Sequence, residues 1–70
     1  MNVALKVKIL ESGYYQIGLA REIGIPEHYL SKIVNGWIDP KPEVKEKIAA
    51  TLGCSVNDIF FEGREELKVF

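Results

Sequence analysis

The side chains able to do covalent chemistry here are few, and their spacing is wrong for it. The chain of 70 residues holds one histidine, His28, and one cysteine, Cys54. A single cysteine excludes an internal disulfide and any cysteine-cluster zinc site, and a single histidine adds no metal-ligand constellation. Glu27 and His28 are sequence neighbours. On a helix, neighbours point about 100° apart, so the two make no acid–base pair. No glycine-rich phosphate loop and no activated nucleophile accompany them. The expectation is a protein that is not an enzyme, with no catalytic residue, no metal and no cofactor. Binding chemistry remains, carried by amide and charged side chains such as Gln16, Lys32 and Asn35.

These residues lie in or beside one stretch, Gln16 to Gly36, that reads as two short helices joined by a tight turn. Leu19, Ala20 and Ile23 share one face of the first. Leu30, Ile33 and Val34 share one face of the second, from about Glu27. Both sets follow the i, i+3, i+4 spacing of an amphipathic helix. Gly24 can take positive φ and end the first helix, and Pro26 suits the start of the second. Ala20 is small where the helices would cross, and Asn35-Gly36 stops the second. A helix, a short turn and a helix of this length is a layout that delivers a helix to the DNA major groove.

The rest of the chain supplies the frame. Seventy residues make one small domain, and 47% hydrophobic residues with balanced charge describe a folded globule. Val3 to Ser12 reads as a helix with Leu5 and Ile9 inward, together with Val7 and Leu10. Gly13 closes it. Neither Tyr14 nor Tyr15 is a good cap for the helix starting at Gln16. Gly18 inside that helix reads as a tolerated surface position or a point of close approach. Trp37 to Pro42 is a stiff loop containing two prolines. Pro42 opens a fourth helix with Val44, Ile48, Ala49 and Leu52 as its apolar stripe, ended by Gly53. Ser55 and Asp58 form a capping box for a one- or two-turn helix that buries Ile59 and Phe60. Residues 1–61 are thus read as one helix-turn-helix domain and 62–70 as a short tail, its structure left open between edge strand, helical extension and frayed end. No apolar run approaches the roughly 18 residues of a membrane span, and no signal-peptide pattern opens the chain. The expected location is the cytoplasm, on the nucleoid.

Taken together, the residues resemble the Xre/Cro-type, or phage-repressor-like, helix-turn-helix DNA-binding domain. The likeness runs from about Leu5 to Phe60 without a gap. It rests on Gln16, Leu19-Ala20, Gly24-Ile25, Leu30-Ser31, Ile33, Asn35-Gly36, Pro40, Ile48-Ala49, Leu52-Gly53, Ser55 and Ile59-Phe60. It implies an all-α fold, a compact five-helix bundle whose recognition helix is about 27–35. It also implies double-stranded DNA as the partner and a homodimer as the binding form. By position, Glu27, His28, Tyr29 and Lys32 are candidates to reach base edges. Gln16, Asn35, Trp37 through its backbone, and Lys41 are candidates to lie against phosphates.

The sequence also departs from that pattern. Many members carry a buried Arg–Glu pair between the first and third helices. Ile9 and Val34 stand at those positions, so both charges are replaced and no orphan is left. The net charge is −1. Up to Phe61, seven Lys/Arg face seven acids, and the tail adds Arg64 and Lys68 against three glutamates. This weighs against DNA binding, because phosphate neutralisation supplies much of the affinity; a local basic face containing Gln16, Lys32 and Lys41 or Lys45 would answer it. Tyr14, Tyr15, Ile17, Trp37 and Ile38 are apolar where such domains commonly expose polar groups. Tyr14 and Trp37 are expected to turn inward, and any that cluster outward mark a protein contact. Cys54 reads as a small buried hydrophobe. Two functions follow. The leading one is a sequence-specific transcriptional repressor bound as a dimer to a pseudo-palindromic operator. The dimer contact is expected from the fifth helix and tail, through Phe60, Phe61, Leu67, Val69 and Phe70. The alternative is a protein-binding helix-turn-helix module, an antitoxin or adaptor.

Overall fold

Apolar spacing and punctuation by glycine and proline produce five helices in this computed structural model, which describes residues 1–60. They are α1 (Val3–Glu11), α2 (Gln16–Ile23), α3 (Glu27–Val34), α4 (Pro42–Leu52) and α5 (Val56–Ile59), with no strand among the described residues. The fold is all-α, as expected. The readings made for 61–70, including the dimer contact at Phe61, Leu67, Val69 and Phe70, lie outside the described residues.

One core serves all five helices. Leu5 and Ile9 of α1, Leu19 and Ala20 of α2, Leu30, Ile33 and Val34 of α3, and Ile48, Ala49 and Leu52 of α4 are buried with Ile59 and Phe60. α2 packs on α3 and α4, while α1 packs on α3 and α5. Ile9 and Val34, the apolar stand-ins for an ion pair, both sit in this cluster.

Four apolar expectations are corrected. Val7 and Leu10 are not inward: they are 45% and 68% exposed. The core stripe of α1 is Leu5 and Ile9, and Val7 lies about 200° round the helix from Leu5. Trp37 is not inward either, at 73% exposed. Its neighbour Ile38 takes the place against the core. Tyr14 does pack there, as expected. Cys54 is half-buried rather than buried. Gly18 meets little: a Cβ there would find only Tyr14 Cδ1, at 3.8 Å.

Asn2 ties the ends of the bundle together. Its Oδ1 accepts from the Leu5 N–H at 3.0 Å and caps α1. Its Nδ2 donates to the Ile59 carbonyl at 2.7 Å. Its backbone N–H donates to the Val34 carbonyl at 2.8 Å. One residue thus satisfies polar groups at the start of α1, the end of α3 and the end of α5. At the other short helix, the Ser55 N–H donates to Asp58 Oδ2 at 3.0 Å, closing the expected capping box. The Ser55 backbone, then its hydroxyl, hold the Asp58 carboxyl below the usual range, and Lys8 adds to this.

Asn2→Ala removes a cap and strands a part-buried carbonyl, so it should lower stability by about 1–3 kcal/mol in urea unfolding. Asn2→Asp keeps the acceptor for Leu5 but sets a carboxylate against the Ile59 carbonyl. It should be no more stable than Asn2→Ala at pH 7; wild-type stability in Asn2→Asp would show that only the cap matters.

The folded Asp58 pKa is depressed, so its contribution is present above the unfolded value of about 3.9 and lost as pH falls through the folded value. Thermal midpoints of wild type and Asp58→Asn should differ at pH 7 and converge as pH falls through the depressed folded value of Asp58.

Candidate nucleic-acid interface

The turn between α2 and α3 is set by Gly24, at φ 92°. Its N–H and that of Ile25 both donate to the Ala20 carbonyl, at 2.8 and 3.0 Å. The chain reverses within three residues, and α3 starts from Pro26 at φ −64°. Ala20 is buried where the helices meet. A left-handed residue without a Cβ is what this reversal requires.

With Leu30, Ile33 and Val34 buried, the 3.6-residue period turns His28 and Lys32 to solvent, and both are exposed; Glu27 is exposed too, as the first residue of the helix. Tyr29 is different: it is half-buried and packs against the core, so its ring is shared between core and surface. Gln16 is half-buried at the first position of α2. Tyr15 before it makes no side-chain cap; its backbone carbonyl accepts from the Leu19 N–H at 2.9 Å.

The end of α3 is locked by two bonds. The Gly36 N–H donates to the Ile33 carbonyl at 3.0 Å and the Trp37 N–H to the Lys32 carbonyl at 2.9 Å. Gly36 takes φ 78°. This is the Schellman arrangement. It spends the Trp37 N–H inside the protein, so the backbone donor expected at a phosphate is already engaged. Asn35 Nδ2 donates to the Ser31 carbonyl at 3.0 Å. One of its two amide hydrogens is thus used on the helix. Lys41, exposed at the start of α4, closes the loop.

Lys45 does not belong to the exposed basic set. It is 7% exposed, with Nζ 3.0 Å from Asp39 Oδ1 and 5.4 Å from the Phe60 ring centroid. The basic face proposed from sequence therefore relies on Lys32 and Lys41. Burial pushes the Cys54 thiol up, against a downward pull from Lys8 and with a smaller upward push from Asp58. That is opposite to the shift an activated thiolate needs. Among the described residues no three of His, Cys, Asp and Glu gather as a metal would require. No helix among the described residues is long and apolar enough to cross a membrane.

Asn2 escapes sequence reasoning, and Lys45, expected on the exposed basic face, is misplaced by it. A signal existed for each. Asn2 precedes α1 as an N-cap residue does. Lys45 lies three and four residues before Ile48 and Ala49, on the apolar stripe of α4.

Comparison with known proteins gives one match: a family model described as helix-turn-helix (HTH_3) fits residues 5–59. No curated protein matches, and neither does any solved structure. The match spans α1 to α5 and includes every expected contact residue. The chain belongs to the Xre/Cro-type helix-turn-helix family and is a DNA-binding helix-turn-helix regulator.

Proposed function

We propose that this chain is a transcriptional repressor that binds a pseudo-palindromic operator as a homodimer and acts by occluding a promoter. The observation that carries the reading is the outward face of α3. His28 and Lys32 are exposed on the side of α3 turned from the core, and Glu27 is exposed at its first position, on a helix whose other face is committed to the core. In the major groove, Lys32 suits guanine O6 and N7, and Glu27 suits the cytosine amino group. His28 donates to a base or phosphate, and Tyr29 reaches a thymine methyl or sugar from its half-buried position. Gln16, Asn35 and Lys41 bear on phosphates, with Asn35 using its remaining amide hydrogen; Trp37, its N–H given to the Lys32 carbonyl, brings no backbone donor. Residues 1–61 form the DNA-binding domain in this reading, residues 62–70 a separate tail, and the place of action is the nucleoid in the cytoplasm. A single module brings few net charges, so two modules on half-sites about one helical turn apart supply the affinity.

A second reading has its own observation. Met1, Val3, Val7, Leu10, Tyr15, Ile17 and Trp37 are all large, apolar and exposed. Of these, Met1, Val3 and Trp37 line one hollow, and apolar surface gathered in that way supports an antitoxin or adaptor role.

Selection from a random duplex pool at two salt concentrations separates the two. The repressor reading expects a palindrome to be enriched and binding to weaken steeply with salt. Alanine at Glu27, His28 or Lys32 should change the enriched sequence. Lys41→Ala should weaken all sequences alike and reduce the salt slope by about one. Retention of no duplex at low salt would sink the repressor reading in favour of the protein-binding one. Light scattering that finds one chain per duplex would sink the dimer.

A further inference from the structure

Helix α1 carries two apolar faces, and the bundle uses one of them. Leu5 and Ile9 are buried in the core. Val3, Val7 and Leu10 are 62%, 45% and 68% exposed. At about 100° per residue these three fall within about 60° of one another, roughly 150° round the helix from the core pair. The bundle therefore lies behind the stripe and leaves it open. Val3 also lines the hollow that Met1 and Trp37 share, so apolar surface continues past the start of the helix. The short helix α5 offers no comparable face, because Ile59 and Phe60 are in the core and Val56 packs against it.

A step of four and then three is the seam of a coiled coil, with Val7 at position a and Val3 and Leu10 at position d. A β-branched residue at a with leucine at d suits a parallel pair of helices. The charges beside the seam fit a second copy of this chain. Lys6 takes position g and Glu11 position e, and both are exposed. Among the described residues neither makes an ion pair. In a parallel pair, Lys6 of each chain comes beside Glu11 of the other, giving two opposite-charge contacts related by the two-fold axis. In an antiparallel pair Lys6 would meet Lys6. We propose that α1 is the self-association face of this protein: two copies pair in parallel through Val3, Val7 and Leu10, and Lys6 and Glu11 set the orientation. The proposal rests on the homodimer of the reading above and moves its contact from the fifth helix and tail to the first helix. Nine residues are too few to hold two free helices together, but Leu5 and Ile9 already fix α1 in the bundle. The stripe offers on the order of a few hundred Å², short of the ~800 Å² per partner of a stable complex. The pair is therefore weak in the free protein and is consolidated when one duplex holds both chains.

The test is sedimentation equilibrium of the full chain without DNA, from micromolar to millimolar concentration at low salt. Wild type should move from monomer towards dimer over that range. Lys6→Glu and Glu11→Lys each set like charges across the seam. Both changes agree with the helix dipole and lie on the exposed side, so α1 stays folded. Each alone should weaken association about tenfold. Mixed in equal amounts, the two variants should pair with each other as tightly as wild type does with itself, because every contact is again between opposite charges. Val7→Asp, on the open face, should leave a monomer that melts near the wild-type temperature. Wild type that stays monomeric at millimolar concentration overturns the proposal. Association that survives Val7→Asp, or that the charge changes leave alone, overturns it as well and places the contact elsewhere, with the homodimer still standing. Wild type that associates as expected but retains no duplex keeps the α1 face and removes only the DNA reading.

Discussion

Helix α3 must satisfy two demands with eight residues, and the rest of the fold follows from how it does so. Leu30, Ile33 and Val34 are essentially removed from water. Burying side chains of this size contributes about 1.5–3 kcal/mol each, a sum comparable to the ~5 kcal/mol net stability of a small domain. The helix therefore cannot rotate about its axis without unfolding the protein. Its remaining face is presented to solvent in one fixed orientation, which is the property a helix needs to read a groove. α2 on one side and α1 on the other receive that apolar stripe, and α4 and α5 pack behind them.

The helices were legible where the chain punctuates itself. Gly24, Pro26, Gly36, Pro42 and Gly53 bracket α2, α3 and α4, and each helix begins and ends where those residues place it. α1 stops one residue short of expectation, at Glu11, with Ser12 as its C-cap and Gly13 at φ 82° beyond it. Loops carry no period, so nothing in Trp37-Ile38 says which of two adjacent apolar residues turns inward. A lysine in a helix reads as solvated, and Lys45 departs from that where the Asp39 carboxylate and the Phe60 ring converge on it. The exposed face of α3 followed from the same period as its buried face. The partners of that face cannot follow from it, and their assignment leans on kinship with the family.

Electrostatics divides differently from what the formal charge suggests. Lys45 is withdrawn into the protein and matched to Asp39, so the loop beside α3 is governed by fewer free charges than the sequence holds. Asp58 is held by Ser55 at the far end of the chain. Local pairing of this kind lets a chain with no net positive charge keep Lys32 and Lys41 outward on neighbouring elements.

The Asn2–Ile59 hydrogen bond joins residues separated by 57 positions. Closing a loop of that length costs roughly 3–4 kcal/mol of chain entropy beyond a constant, so the contact is made only after the helices between have condensed. It belongs to the late, native side of the folding barrier. Interactions of that kind set how fast a protein opens far more than how fast it forms. Asn2 is accordingly a latch on lifetime: without it the bundle would assemble at nearly its usual rate and come apart sooner.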